Sequence, residues 1–165
     1  MNLKYRPEID GLRAIAVISI IFYHSRIILY GQNFFSGGFL GIDIFFVISG
    51  YLISSLILID LEFKNNFSFK LFYEKRVRRI FPLLFIVIII CLVFSWLILV
   101  PSDLKYFSKS SIFSALFISN YFFTVQDYFA FKSLLIPLLH TWSLSVEIQF
   151  YILISILIFL IFKYS

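Results

Sequence analysis

Apolar runs long enough to cross a bilayer dominate the chain, and short polar connections separate them. A membrane-spanning helix needs about 20 mostly apolar residues. Five segments meet or approach that requirement, at residues 11–30, 38–59, 80–100, 108–125 and 142–162. The third is the cleanest, because the 23 residues from Ile80 to Ser102 carry no charge. The fourth contains Ser108, Ser110, Ser111, Ser114, Ser119 and Asn120. That polarity predicts a span that is short, tilted or packed against protein. The expected fold is all-α, a polytopic membrane bundle of about five helices.

Composition agrees with the pattern. Of 165 residues, 61% are hydrophobic and 14% charged, against about 45–50% and about 25% in soluble domains. With a mean hydropathy of +0.98, neither a single soluble core nor a disordered chain is tenable. The 23 Phe and 10 Tyr suit lipid-facing surfaces and interfacial belts. The lone cysteine, Cys91, excludes a disulfide framework. No metal-ligand spacing, phosphate loop or serine-hydrolase elbow is present, so no metal is expected.

The net charge of +5 is concentrated rather than spread, with six of the 14 cations between Lys64 and Arg79. A basic block beside a span reports topology and lipid head groups, so no nucleic-acid partner is expected. The rule that positive loops stay inside predicts a cytoplasmic N-terminus and a cytoplasmic 60–79 loop. It puts the 31–37 and 101–107 connections outside, 126–141 inside and Ser165 outside. Acidic Glu8 and Asp10 and the lack of a small-residue cleavage site argue against reading the first run as a signal peptide.

Charged and titratable residues within spans are costly and tend to face protein or water. Arg13 and His24 are eleven residues apart, three helical turns or about 16 Å, with almost no angular offset. Each alone reads as an anchor or a packing contact; together they suggest a polar cavity, with Asp10 one turn before Arg13 as its partner. Asp43 follows Gly37-Gly38-Phe39-Leu40-Gly41, where the Gly37-x-x-x-Gly41 spacing allows close helix approach. It either caps the second helix or takes part in chemistry. Ser49-Gly50 gives a small polar point in an apolar helix. Arg76 and Arg79, one turn apart, either anchor the topology or clasp a phosphorylated ligand. Glu147 is either a structural carboxylate paired with an arginine or a proton-handling group.

Four ordered blocks carry a family resemblance. They are Arg6-Pro7-Glu8-Ile9-Asp10-Gly11-Leu12-Arg13 with His24, then Gly37-Gly38-Phe39-Leu40-Gly41-Ile42-Asp43 through Ser49-Gly50-Tyr51. Arg76-Val77-Arg78-Arg79-Ile80-Phe81-Pro82 and His140-Thr141-Trp142-Ser143-Leu144-Ser145-Val146-Glu147 follow. The chain resembles the N-terminal half of the acyltransferase-3 family, membrane enzymes that O-acylate cell-surface polysaccharides. Members have about ten spans, so residues 1–165 are expected to be an incomplete bundle.

The resemblance implies transfer from acyl-CoA, commonly acetyl-CoA, to a hydroxyl of a lipid-linked or surface glycan such as lipopolysaccharide or peptidoglycan. The enzyme would sit in a bacterial inner membrane. It implies no permanently bound cofactor. His24, Arg13 and Glu147 are the expected catalytic residues, and Arg76 and Arg79 the expected donor site. Asp10, Asp43, Ser49, Trp142 and Ser143 are expected to be structural or to orient substrate. A transporter or flippase half, with Arg13, His24, Asp43 and Glu147 as a proton relay, is the alternative. A fragment with no activity of its own is a further one.

Overall fold

Of the segments between polar breaks, most fold as single helices in the computed structural model. It describes residues 6–25, 27–29, 32–33, 35–64, 67–125 and 136–164. Helix α1 spans Pro7–Ser25, with proline in its first turn where its missing N–H costs nothing. A two-residue antiparallel pair, β1 (Ile28–Leu29) with β2 (Gln32–Asn33), follows. A 3₁₀ turn at Ser36–Phe39 leads into α2, Leu40–Lys64. Then come α3 (Phe69–Ile98), α4 (Pro101–Ala115), α5 (Ser119–Thr124) and α6 (Thr141–Tyr164). Among the described residues the regular structure is all helical apart from that small pair.

Among the described residues three helices are long and apolar enough to cross a membrane: Ser36–Glu62, Phe69–Ile98 and Thr141–Tyr164. They contain the second and fifth expected spans and all of the third but its last two residues. Helix α1 has 19 residues, and Glu8, Asp10 and Arg13 fill its first two turns, so its apolar stretch is shorter than the expected 11–30. Helix α3 begins eleven residues before the expected 80. The hydroxyl of Ser68 caps it by accepting from the Leu71 N–H at 3.4 Å. At 1.5 Å per residue α3 is about 45 Å long, whereas a hydrocarbon core is about 30 Å thick. The basic block, expected in a loop at 60–79, therefore occupies helical turns beyond the apolar part of α3. Most of the 126–141 loop lies outside the described residues.

The fourth expected span, 108–125, is not one helix. Helix α4 stops at Ala115, and Phe117 adopts a left-handed backbone, φ 55°. The Ile118 N–H bonds to the Phe113 carbonyl at 3.0 Å and the Phe117 N–H to the Ser114 carbonyl at 3.1 Å. These are the two bonds of a Schellman stop, with phenylalanine where glycine is usual.

The chain forms two compact units, Met1–Phe67 with Ile154–Ser165, and Ser68–Leu153. In the first, α1 packs against α2 through glycine. A side chain at Gly38 would collide with the Ser19 carbonyl, and one at Gly41 would lie 2.5 Å from the Ala16 carbonyl. Gly37 has open space around it. The close contact thus uses Gly38 and Gly41 rather than the expected Gly37 and Gly41. In the second unit, Leu84, Ile88, Phe107 and Leu138 form the buried core.

Candidate active site

In the first unit the candidate residues lie on α1 and α2. Arg13 is half-buried, its guanidinium carbon 5.5 Å from the centroid of the Phe45 ring. Its Nε is buried without a hydrogen-bond partner. Among the described residues the ion pairs are Arg6–Glu8 and Glu74–Arg78, so Asp10 does not pair with Arg13 as expected. The exposed Asp10 has water as an alternative partner, and Arg13 turns instead toward α2. His24 is exposed in the last turn of α1, edge-on to the Tyr23 ring at 5.2 Å. The shared face therefore brings Arg13 onto α2 and leaves His24 open.

Asp43 is exposed in the first turn of α2, where a carboxylate is favoured by the helix dipole. Ser49 lies six positions on, 2% exposed, and its hydroxyl has no partner. The segment preceding α1 is tied to α2 by Arg6, which donates to the Tyr51 hydroxyl at 3.1 Å and to Glu8 at 2.9 Å.

In the second unit, α6 presents two polar faces. Thr141, Ser145 and Gln149 recur every fourth residue and therefore share one side. Thr141 and Ser145 join Ser114 and Ser119 in a buried hydroxyl chain, with Ser114–Thr141 at 2.7 Å, Thr141–Ser119 at 3.1 Å and Ser119–Ser145 at 2.8 Å. Gln149 donates to the Phe117 carbonyl at 2.9 Å and exchanges bonds with Asn120 at 3.0 Å. The left-handed turn is held by α6 as well as by its own backbone.

Glu147 and Tyr151 stand on the other side, one turn apart. The Tyr151 hydroxyl donates to Glu147, and both residues are buried. Among the described residues no arginine forms an ion pair with Glu147. Of the two readings of Glu147, the carboxylate–arginine pairing is not the arrangement found; a phenol takes that place. Arg76 of α3 folds back along its helix, donating from Nη1 to the Phe72 carbonyl at 2.7 Å. Its guanidinium carbon lies 3.5 Å from the Phe72 ring centroid and 5.7 Å from that of Tyr151. Its Nε is buried and unpartnered.

Arg79 is exposed, so the two arginines present unequal surroundings rather than a matched clasp. Trp142 and Ser143 are half-buried at the start of α6, with the Ser143 hydroxyl donating to the His140 carbonyl at 3.0 Å.

Sequence reasoning gave Phe72, Tyr151 and Gln149 no role, although the block that starts at His140 continues through Gln149 and Tyr151. One turn separates Phe72 from Arg76 and Tyr151 from Glu147, a spacing that could have raised the pairs.

Three long apolar helices, with polar and charged side chains packed among their apolar ones, mark an integral membrane protein. The chain belongs to the acyltransferase-3 family, whose model, described as an acyltransferase domain, matches residues 6–165. It is 39% identical over 152 residues to the peptidoglycan O-acetyltransferase OatA of Listeria monocytogenes, covering 91% of this chain and 24% of that protein. It is 38% identical over 164 residues to the O-acetyltransferase OatA of Staphylococcus aureus, covering 98% and 26%. The chain thus spans about a quarter of the length of these relatives. No solved structure matches it.

Proposed function

We propose that the chain contributes the membrane part of an O-acetyltransferase that moves an acetyl group from acetyl-CoA to a hydroxyl of a cell-envelope glycan. The observation that carries the reading is that two half-buried arginines, Arg13 and Arg76, each keep a buried, unpartnered Nε. Buried donors are almost always satisfied, so these two suit a ligand rich in phosphate and carbonyl oxygens. Peptidoglycan is the favoured acceptor, because the Listeria relative is named for it; lipopolysaccharide is the other glycan considered. The basic start of α3 favours a cytoplasmic N-terminus and donor delivery from that side, in a bacterial inner membrane.

In the proposed step, His24 takes the proton of the glycan hydroxyl, and the oxygen attacks the thioester carbonyl. The C–S bond breaks, coenzyme A leaves as its thiolate, and the proton on His24 passes to that thiolate. Imidazole is the side chain whose ordinary pKa suits this exchange near neutrality. Arg76 and Arg79 hold donor phosphates, and Arg13 and Glu147 are the further catalytic residues that the family resemblance implies.

His24→Gln tests the assignment, because it keeps a hydrogen bond but cannot take the proton. Acetyl transfer from acetyl-CoA to glycan, measured in membranes carrying the protein, should fall about 10²–10⁴-fold. Retention of more than about a tenth of turnover would remove His24 from the chemistry. Glycan movement without any coenzyme A dependence would favour a transporter instead.

A further inference from the structure

We infer that Tyr151 is a positioning residue, which fixes the guanidinium of Arg76 for an anionic ligand while its own hydroxyl is pinned by Glu147. The inference deepens the donor-site reading above and rests on it. Arg76 has three conspicuous features: an Nη1 bond to its own helix, a ring face on each of two sides, and an Nε that bonds to nothing.

A freely moving arginine would find water for every N–H. The half-buried Arg76 has its Nε covered while its guanidinium carbon lies against the Phe72 and Tyr151 rings, so that one donor is left for a ligand. Tyr151 is 6% exposed, and its hydroxyl donates to the carboxylate of Glu147 one turn earlier on α6. That bond limits rotation of the phenol and fixes the ring beside Arg76. Helix α6 thereby sets the position of a cation carried by α3. Arg79, one turn further on and exposed, has no such support, so the two arginines make unequal contributions to binding.

The test uses membranes containing the chain and its variants, with acetyl-CoA as the binding probe. Tyr151→Leu should weaken binding roughly two- to thirtyfold, the range expected for a cation–π contact from exposed to desolvated. Tyr151→Phe, which keeps the ring but loses the bond to Glu147, should bind between the parent and Tyr151→Leu. The double variant Arg76→Ala/Tyr151→Leu should bind no more weakly than Arg76→Ala, because both act through one group. Additive losses, or Tyr151→Leu binding like the parent while Arg76→Ala is weakened, would overturn the inference. If Arg76→Ala itself binds like the parent, or the parent does not bind, the donor reading fails.

Positioning is then read without the donor, from phenylglyoxal modification followed by mass spectrometry. Arg76 should react more slowly than Arg79 in the parent and at a similar rate in Tyr151→Leu. Continued protection of Arg76 in Tyr151→Leu would show that Tyr151 does not hold it.

Discussion

Alanine at Gly38 separates two descriptions of how α1 meets α2. The spacing in the sequence points to Gly37 and Gly41, whereas the contact itself uses Gly38 and Gly41. A methyl group at Gly38 would collide with the Ser19 carbonyl and lie 2.9 Å from Tyr23 Cβ and 3.0 Å from Phe35 Cδ1. At Gly41 it would lie 2.5 Å from the Ala16 carbonyl oxygen and 2.9 Å from Ile20 Cγ1. Favourable contacts lie at about 3.5–4.0 Å, so α1 must retreat by about 0.5–1 Å, which forfeits a quarter to a half of the dispersion energy across the gap. Overpacking of this kind costs about 1–3 kcal/mol.

Gly38→Ala, which meets backbone and side chain together, should fall at the upper end, near ~2–3 kcal/mol. Gly41→Ala recovers up to ~1 kcal/mol of helix propensity and should cost less. Gly37→Ala meets nothing within 4 Å and should stay within about 0.5 kcal/mol of the parent. Reversible unfolding in mixed micelles, followed by circular dichroism, measures all three. Equal losses at Gly37 and Gly38, or no loss at either, would refute the packing argument.

Gln149→Leu should destabilise the second unit by about 2–4 kcal/mol, since it strands the Phe117 carbonyl and the Asn120 side chain; unchanged unfolding would show that the left-handed turn stands without α6. Thr141→Val removes the hydroxyl that links Ser114 to Ser119 and should cost about 1–3 kcal/mol by the same measurement; a neutral result would mean the remaining hydroxyls re-pair. For topology, cysteines at Asn65 (outside the described residues) and Gln32, introduced after Cys91→Ser, should react with impermeant maleimide from opposite sides of the membrane. Labelling of both from one side would rule out the orientation proposed from the basic block.

Three of the spans were legible because apolar length alone defines them. The bilayer demands that backbone polar groups be satisfied within the segment, so a long apolar run has one available structure. The chemistry-bearing types were legible for a related reason: an Arg, His or Glu in such a run is costly enough to mark itself. Their partners were not legible. Phe72 and Tyr151 are two aromatics among many; their one-turn spacing from Arg76 and Glu147 is shared by other aromatics, and no local feature brings Tyr151 of α6 to Arg76 of α3.

The break at Phe117 shows the same division. Its neighbours hold no glycine or proline, so local propensity continues the helix from 108 onward. Tertiary contacts end it: the Schellman bonds close the turn, Gln149 from α6 holds the Phe117 carbonyl, and the Phe117 ring packs 5.2 Å from Phe81. A left-handed non-glycine residue costs about 1–3 kcal/mol and persists only where its surroundings over-determine it. The sequence by itself determined the three long apolar helices, which charged residues are costly in them, and the family. The tertiary structure decided which glycines touch α1, where the fourth segment stops, and that Glu147 bonds to a phenol instead of an arginine. Those outcomes depend on contacts between residues far apart in the chain, and local spacing carries no record of them.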